Sequence, residues 1–186
     1  MAITNPFIPR EDYLDGELNS EIRHEYAAGN VYAMSGGILN HQRVAGNFFR
    51  SAGNQLSGKS CFPTNCDFKV RVALGYDDEA FYYPDAMVIC VPVSGDAHFT
   101  DSPSVILEIL SPTTRRIDQV EKLRDYLTIP SLQTYIMAET NSPMLTIHHR
   151  DGATFRKEII GGMDAILKLP EVGLEISFAE MYRDVF

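Results

Sequence analysis

At 186 residues, with 45% hydrophobic and 22% charged side chains, the chain has a globular composition and length enough for one domain built around a full hydrophobic core. Its net charge of −9 argues against a protein that coats nucleic acid through its overall field, so any nucleic-acid contact must be local. No window reaches the roughly 18 apolar residues of a spanning helix, and Met1 to Arg10 carries no basic stretch followed by an apolar one, which predicts an unexported protein without membrane contact.

After a short proline-containing arm, Glu11-Asp12-Tyr13-Leu14 predicts one helical turn, and Arg23 to Met34 reads as a hairpin about Ala28-Gly29-Asn30. Ser35-Gly36-Gly37 breaks that pattern. From Ile38 to Leu56 the apolar residues Leu39, Val44, Phe48, Phe49, Ala52 and Leu56 recur near helical spacing, with Gly58 as the stop. Cys66 to Leu74 alternates as a half-buried strand; Asp67 and Arg71 share its polar face, which is either solvated or, for Arg71, a phosphate contact. Phe81 to Val91 and Val105 to Leu110 are apolar strands joined by a polar connection from Pro92 to Pro103. Ser111-Pro112-Thr113-Thr114 ends the second of these strands and can cap a helix after it. Between Arg116 and Leu127 the residues Ile117, Val120, Leu123 and Leu127 predict an amphipathic helix ended near Pro130. Leu132 to Ala138 returns to strand, Met144 to His149 and Thr154 to Ile160 form a terminal hairpin, and Leu174 to Phe178 is a last strand. The order of elements gives an α/β sandwich around a mixed sheet, with hairpins added at both ends, in a single domain over 1–186.

Cys61, Cys66 and Cys90 are an odd set without metal-ligand spacing, and Cys90 closes an apolar strand where a buried free thiol is the ordinary occupant. A reducing cytoplasm fits that usage. His148 and His149 point to opposite sides of their strand and make no shared metal site, and Gly161-Gly162 reads as a turn.

Two carboxylates stand out, because each interrupts an apolar strand: Asp85 after Tyr82-Tyr83-Pro84, and Glu108 within Val105-Ile106-Leu107-Glu108-Ile109-Leu110. Burying an unpaired charge costs several kcal/mol, so something must compensate both. Strands whose acids lie 23 residues apart can be neighbours in one sheet, and a divalent cation held between the two side chains is the expected compensation. The bland alternative is a pair of solvated strand ends. Pro84 cannot donate to a ladder and so interrupts pairing where Asp85 points.

Pro84-Asp85, Glu108-Ile109-Leu110-Ser111-Pro112-Thr113, Asp118, Glu121-Lys122-Leu123 and Tyr126 together resemble the PD-(D/E)XK nuclease-like superfamily. Arg23-His24-Glu25-Tyr26, Gly29, Met34-Ser35-Gly36, His41, Ile129-Pro130-Ser131-Leu132 and Tyr135 narrow the likeness to the Uma-type restriction endonucleases, in consistent order from Tyr13 to Arg150. The resemblance implies a restriction-endonuclease-like mixed β-sheet flanked by helices. It also implies Mg²⁺ or Mn²⁺ ligated by Asp85, Glu108 and the backbone carbonyl of Ile109. The superfamily's lysine two positions after the acid is absent, since Leu110 stands there. By the Uma-type pattern Lys122 takes its place, against the alternative of a surface ion pair with Asp118. Glu25 and His41 are carried over as supporting residues.

What the likeness implies is metal-dependent hydrolysis of DNA, with Asp85, Glu108 and Lys122 as catalytic residues. Exposed strand edges allow a homodimer. The rival readings are a non-catalytic binding or assembly module that keeps the fold, favoured by the missing strand lysine and the acidic charge, and a hydrolase of another phosphoester.

Overall fold

The computed structural model describes residues 7–34, 36–76, 78–111 and 117–186. The expected cap at Pro112-Thr113-Thr114, and the positions of Ser35 and Arg116, lie outside the described residues.

Helix α1 (Arg10–Leu18) is longer than the single turn its sequence suggests, and it is followed by the hairpin β1 (His24–Ala27) and β2 (Asn30–Ala33). Ala28 and Gly29 both take positive φ, 44° and 83°, which is the backbone a two-residue turn needs to match strand twist. Helix α2 (Leu39–Leu56) runs as expected, burying Val44, Phe48, Ala52 and Leu56 at four-residue steps. Leu39 and Phe49, expected on that face, are instead exposed.

The next strands are β3 (Phe62–Asn65), which alternation did not reveal, then β4 (Lys69–Gly75) and β5 (Asp78–Tyr82). The expected continuous strand from Phe81 to Val91 is corrected. It divides into β5 and β6 (Ala86–Ile89), which belong to different sheets, with Tyr83-Pro84-Asp85 as the crossing. Two-residue β7 (Phe99–Thr100) and β8 (Pro103–Leu110) come next. The amphipathic helix is a π-helical segment, Ile117–Lys122, running into α3 (Leu123–Tyr126). Strand β9 (Thr134–Glu139) and the hairpin β10 (Met144–Asp151) and β11 (Thr154–Gly161) match expectation. A small pair, β12 (Ile166–Leu169) and β13 (Leu174–Ser177), and α4 (Phe178–Met181) complete the order.

A six-stranded mixed sheet, β11-β10-β9-β8-β6-β3, is the centre, parallel only between β8 and β9 among its described pairs. One face packs on α2, β12, β13 and α4 through Phe48, Leu107, Ile109, Leu167 and Phe178. Its other face packs on α3 and on a second sheet, β2-β1-β5-β4-β7, through Val70, Tyr82, Ile106, Leu110 and Tyr126. That second sheet was not legible as a separate layer. Its outer side carries α1 on a cluster of Tyr13, Tyr26 and Phe81. The mixed α/β class is as expected.

The cysteine expectation is corrected. Cys90 is bonded to Cys61, just beyond the β3–β6 pairing, and Cys66 is the free one. The argument from unpaired cysteines to a reducing compartment therefore falls. Among the described residues no helix is long and apolar enough to cross a membrane.

Candidate active site

Strands β6 and β8 are antiparallel neighbours with Ala86 opposite Leu107, so Asp85 arrives opposite Glu108 at the end of the pairing. Because Pro84 has no N–H to donate, the ladder stops there. Asp85 is half-buried rather than enclosed on both faces, and its Oδ2 accepts the Ile109 N–H at 2.7 Å. Glu108 is 3% exposed and faces the layer containing Tyr126 and Tyr135.

The segment after β8 decides what Glu108 meets. Its most buried residues are Asp118, Lys122, Asp125 and Tyr126, while of the expected apolar stripe Leu123 and Leu127 are only partly buried against the core and Val120 is exposed, so a polar face takes the deepest positions. Lys122 Nζ lies 3.0 Å from Glu108 Oε1, 2.8 Å from Glu25 Oε1 and 3.7 Å from Asp118 Oδ1. The pair with Asp118 exists, but buried and as one of three. Tyr126 donates its hydroxyl to the same Glu108 Oε1 at 2.9 Å, and Tyr135 donates to the Asp118 carbonyl at 3.0 Å.

Glu25, on β1, also accepts the Tyr83 N–H at 3.1 Å, which ties the hairpin to the β5–β6 crossing. His41 enters from the first turn of α2 with Nε2 at 3.2 Å from Asp85 Oδ2. A Cβ on Gly37 would come within 3.0 Å of its Nδ1, so glycine there lets the chain pass close to the ring. Every residue expected at the site, Asp85, Glu108, Ile109, Lys122, Glu25 and His41, thus belongs to one connected cluster.

Burial pushes the Glu108 carboxyl well up, assisted by the charges of Asp118, Asp85 and Glu25 and opposed by Lys122. Burial alone would lower Lys122, but Glu108, Glu25 and Asp118 more than offset it and keep the ammonium charged. The pair pulls in two directions, and the shortfall of positive charge shows at Glu108. His41 behaves like Lys122: burial lowers it, and the hydrogen bond and charge of Asp85 raise it overall. Tyr126 is raised by burial and by Glu108, so it stays a donor.

The two acids, for which a divalent cation is the expected compensation, also have partners within the protein. Asp85 already has an amide and an imidazole, and Glu108 an ammonium and a phenol. Among the described residues no three His, Cys, Asp or Glu side chains converge as a ligand set. What remains is a sparse, all-oxygen set of two carboxylates and a neighbouring carbonyl, with the Glu108 carboxyl pushed up by burial. A hard cation that retains several waters fits such donors.

Sequence reasoning missed the scaffold behind the cluster. Glu17 on α1 accepts the Tyr83 hydroxyl and the His24 N–H, each at 2.9 Å, and buried Lys69 donates to the same Tyr83 oxygen at 3.2 Å. Asp125 accepts the Tyr82 hydroxyl at 2.7 Å. The signal available for Asp125 was its place with Asp118, Lys122 and Tyr126 at helical spacing, a polar stripe as regular as the apolar one. Arg71 pairs with Asp101 at 2.8 Å and Asp67 with Arg23 at 2.8 Å, so the polar face expected for this strand carries surface ion pairs. His149 pairs with Glu158 at 3.3 Å, away from the cluster.

The layered sheets and the connected acids and lysine define an α/β protein of nuclease-like fold. A crystal structure described as "a putative nuclease belonging to DUF820 from Anabaena variabilis ATCC 29413" shares that fold with a TM-score of 0.72 at 14% identity, over 90% of this chain and 93% of that one. Residues 10–179 match the family described as "Uma2: Putative restriction endonuclease", and the chain belongs to that family. It is also similar to two proteins of Synechocystis sp. (strain ATCC 27184 / PCC 6803 / Kazusa). To "Uncharacterized protein slr1290" it is 28% identical over 96% of this chain and 93% of that protein, and to "Uncharacterized protein sll1609" 27% identical over 75% and 78%.

Proposed function

We propose that this protein is a Mg²⁺- or Mn²⁺-dependent endonuclease that hydrolyses phosphodiester bonds in DNA, acting in the cytoplasm as a homodimer. One observation carries the reading: a buried lysine from the segment after β8 reaches Glu108 at 3.0 Å in a chain whose strand offers Leu110 where the superfamily has lysine.

Asp85, Glu108 and the Ile109 carbonyl would hold the cation, which when bound supplies Lewis-acid activation of the phosphodiester and of the attacking water. Lys122, kept cationic among three carboxylates, orients that water and offsets charge developing on the phosphate. Tyr126 fixes the Glu108 carboxylate, Glu25 fixes Lys122, and His41 with the Ile109 N–H fixes Asp85. The end strands β11 and β3 of the central sheet offer edges for a second copy.

Plasmid and single-stranded DNA incubated with Mg²⁺ or Mn²⁺ test the assignment. Wild type should cut, EDTA should stop it, and Asp85→Ala and Glu108→Ala should each lower the rate by at least about 100-fold while folding normally. Equal cleavage by all three proteins would reject it. The internal pairing of both acids favours a second reading, a nuclease-fold module that binds without cutting. Metal-induced thermal stabilisation with no cleavage in either metal would select that one.

A further inference from the structure

Tyr32 stands beside the cluster and the function above gives it no part. It lies directly opposite Glu25 in the β1–β2 hairpin, and directly opposed residues of an antiparallel pair share a face with Cβ atoms about 5 Å apart. That face is the one from which Glu25 meets Lys122 at 2.8 Å. The alternate residue, Tyr26, is buried on the far side against Tyr13 and Phe81. Strand β2 is the end strand of its sheet, and Tyr32 is 54% exposed. Among the described residues no ring packs on it and none holds its hydroxyl. At the end of α2 that brings His41 to Asp85, Ile38 and Leu39 are exposed as well.

Charge around the site argues that such a ring is used. Most described cations of the neighbouring elements are committed elsewhere, Arg23 to Asp67, Arg71 to Asp101, Lys122 to the cluster and Lys69 buried against Tyr83, which leaves Arg43 on α2 as the exception. With a net charge of −9, a nucleic acid gains little from these groups by phosphate neutralisation. Stacking of a base on an aromatic ring is the interaction available that does not depend on net charge.

The geometry points to Tyr32 as a stacking platform for a nucleobase next to the scissile phosphate, which makes the preferred substrate single-stranded DNA, or a duplex with an unpaired base at the cleavage site. A base inside an intact duplex has both faces covered by its neighbours and cannot use the ring. This rests on the nuclease reading above but concerns which DNA is chosen, and it can fail alone.

The test compares wild type, Tyr32→Ala and Tyr32→Phe in Ca²⁺ or EDTA, by fluorescence anisotropy with a labelled single strand, its blunt duplex and the same strand carrying abasic positions. Wild type should prefer the single strand. Tyr32→Ala should weaken single-strand binding by about five- to 150-fold, the range of one stacked base, with little effect on duplex. Tyr32→Phe should restore it, because the ring and not the hydroxyl is used. Wild type should lose a comparable factor on the abasic strand, a readout that holds even if the alanine variant folds poorly. Single-strand affinity unchanged in a folded Tyr32→Ala protein, or in wild type on the abasic strand, would overturn the inference while leaving cleavage by Asp85, Glu108 and Lys122 intact. Absence of any DNA binding or cleavage by wild type would instead overturn the nuclease reading and take this inference with it.

Discussion

At Glu108, 3% exposed and bonded on one oxygen by Lys122 and Tyr126, burial and three neighbouring acids penalise the charged form and push the carboxyl up, against the pull of Lys122. Replacing it by an isostere that is always neutral should therefore be tolerated by the fold. Glu108→Gln is expected to unfold in urea within about 1 kcal/mol of wild type, or above it, while losing metal-dependent cleavage. A large loss of stability would show that the ionised carboxylate is a structural group. Lys122 is the opposite case. Lys122→Met leaves Glu25, Glu108 and Asp118 without their buried cation and should cost about 3–5 kcal/mol in the same assay. A cost under about 1 kcal/mol would mean that the ammonium does not hold the cluster.

At the scale of elements, the segment from Ile117 to Tyr126 separates what the sequence could say from what it could not. Ile117, Val120, Leu123 and Leu127 repeat at three- and four-residue steps, and periodicity assigns the apolar stripe to the core. Here a more strongly driven contact prevails: the acids around Glu108 and the single lysine need one another out of water, so the polar stripe turns inward and Val120 is left exposed. Val120→Lys should accordingly change stability by no more than about 0.5 kcal/mol, measured by thermal unfolding, where a core valine would cost several times that. The same competition explains the crossing at Tyr83-Pro84-Asp85. An apolar run from Phe81 to Val91 looks like one strand, but proline ends the ladder and the chain changes sheets, delivering Asp85 to Glu108. The hairpin at Ala28-Gly29, the helix over Leu39–Leu56 and the strand around Glu108 were legible because a local signal, a turn, a period or an apolar run, agreed with the final packing. Glu17 and Lys69 were not, since their partners lie on other elements and carry no spacing, whereas Asp125 shared the polar helical stripe of Asp118 and Lys122.

For the whole molecule, two sheets of different register share one buried layer, and the candidate site sits where the crossing between them meets α2 and α3. That arrangement puts the Cys61–Cys90 bond at the far end of β6 from Asp85, with Ala86–Ile89 between them. Its loop of 29 residues gives a stabilisation of about 2–4 kcal/mol by the chain-entropy argument. Dithiothreitol, or Cys61→Ser with Cys90→Ser, should lower the melting temperature yet leave cleavage within about twofold of the oxidised protein at a temperature where both are folded. Loss of cleavage without loss of fold would tie the bond to the site.

The claim that Asp85 and buried Glu108, served by Lys122, form a seat for a divalent cation is tested most directly by anomalous diffraction from crystals soaked in Mn²⁺. The account predicts one strong peak at about 2.1 Å from a carboxylate oxygen of each acid and from the Ile109 carbonyl, with Lys122 Nζ beside it but not bound to it. A well-ordered site with no peak at millimolar Mn²⁺, and with the Lys122–Glu108 and His41–Asp85 pairs unchanged, would contradict it.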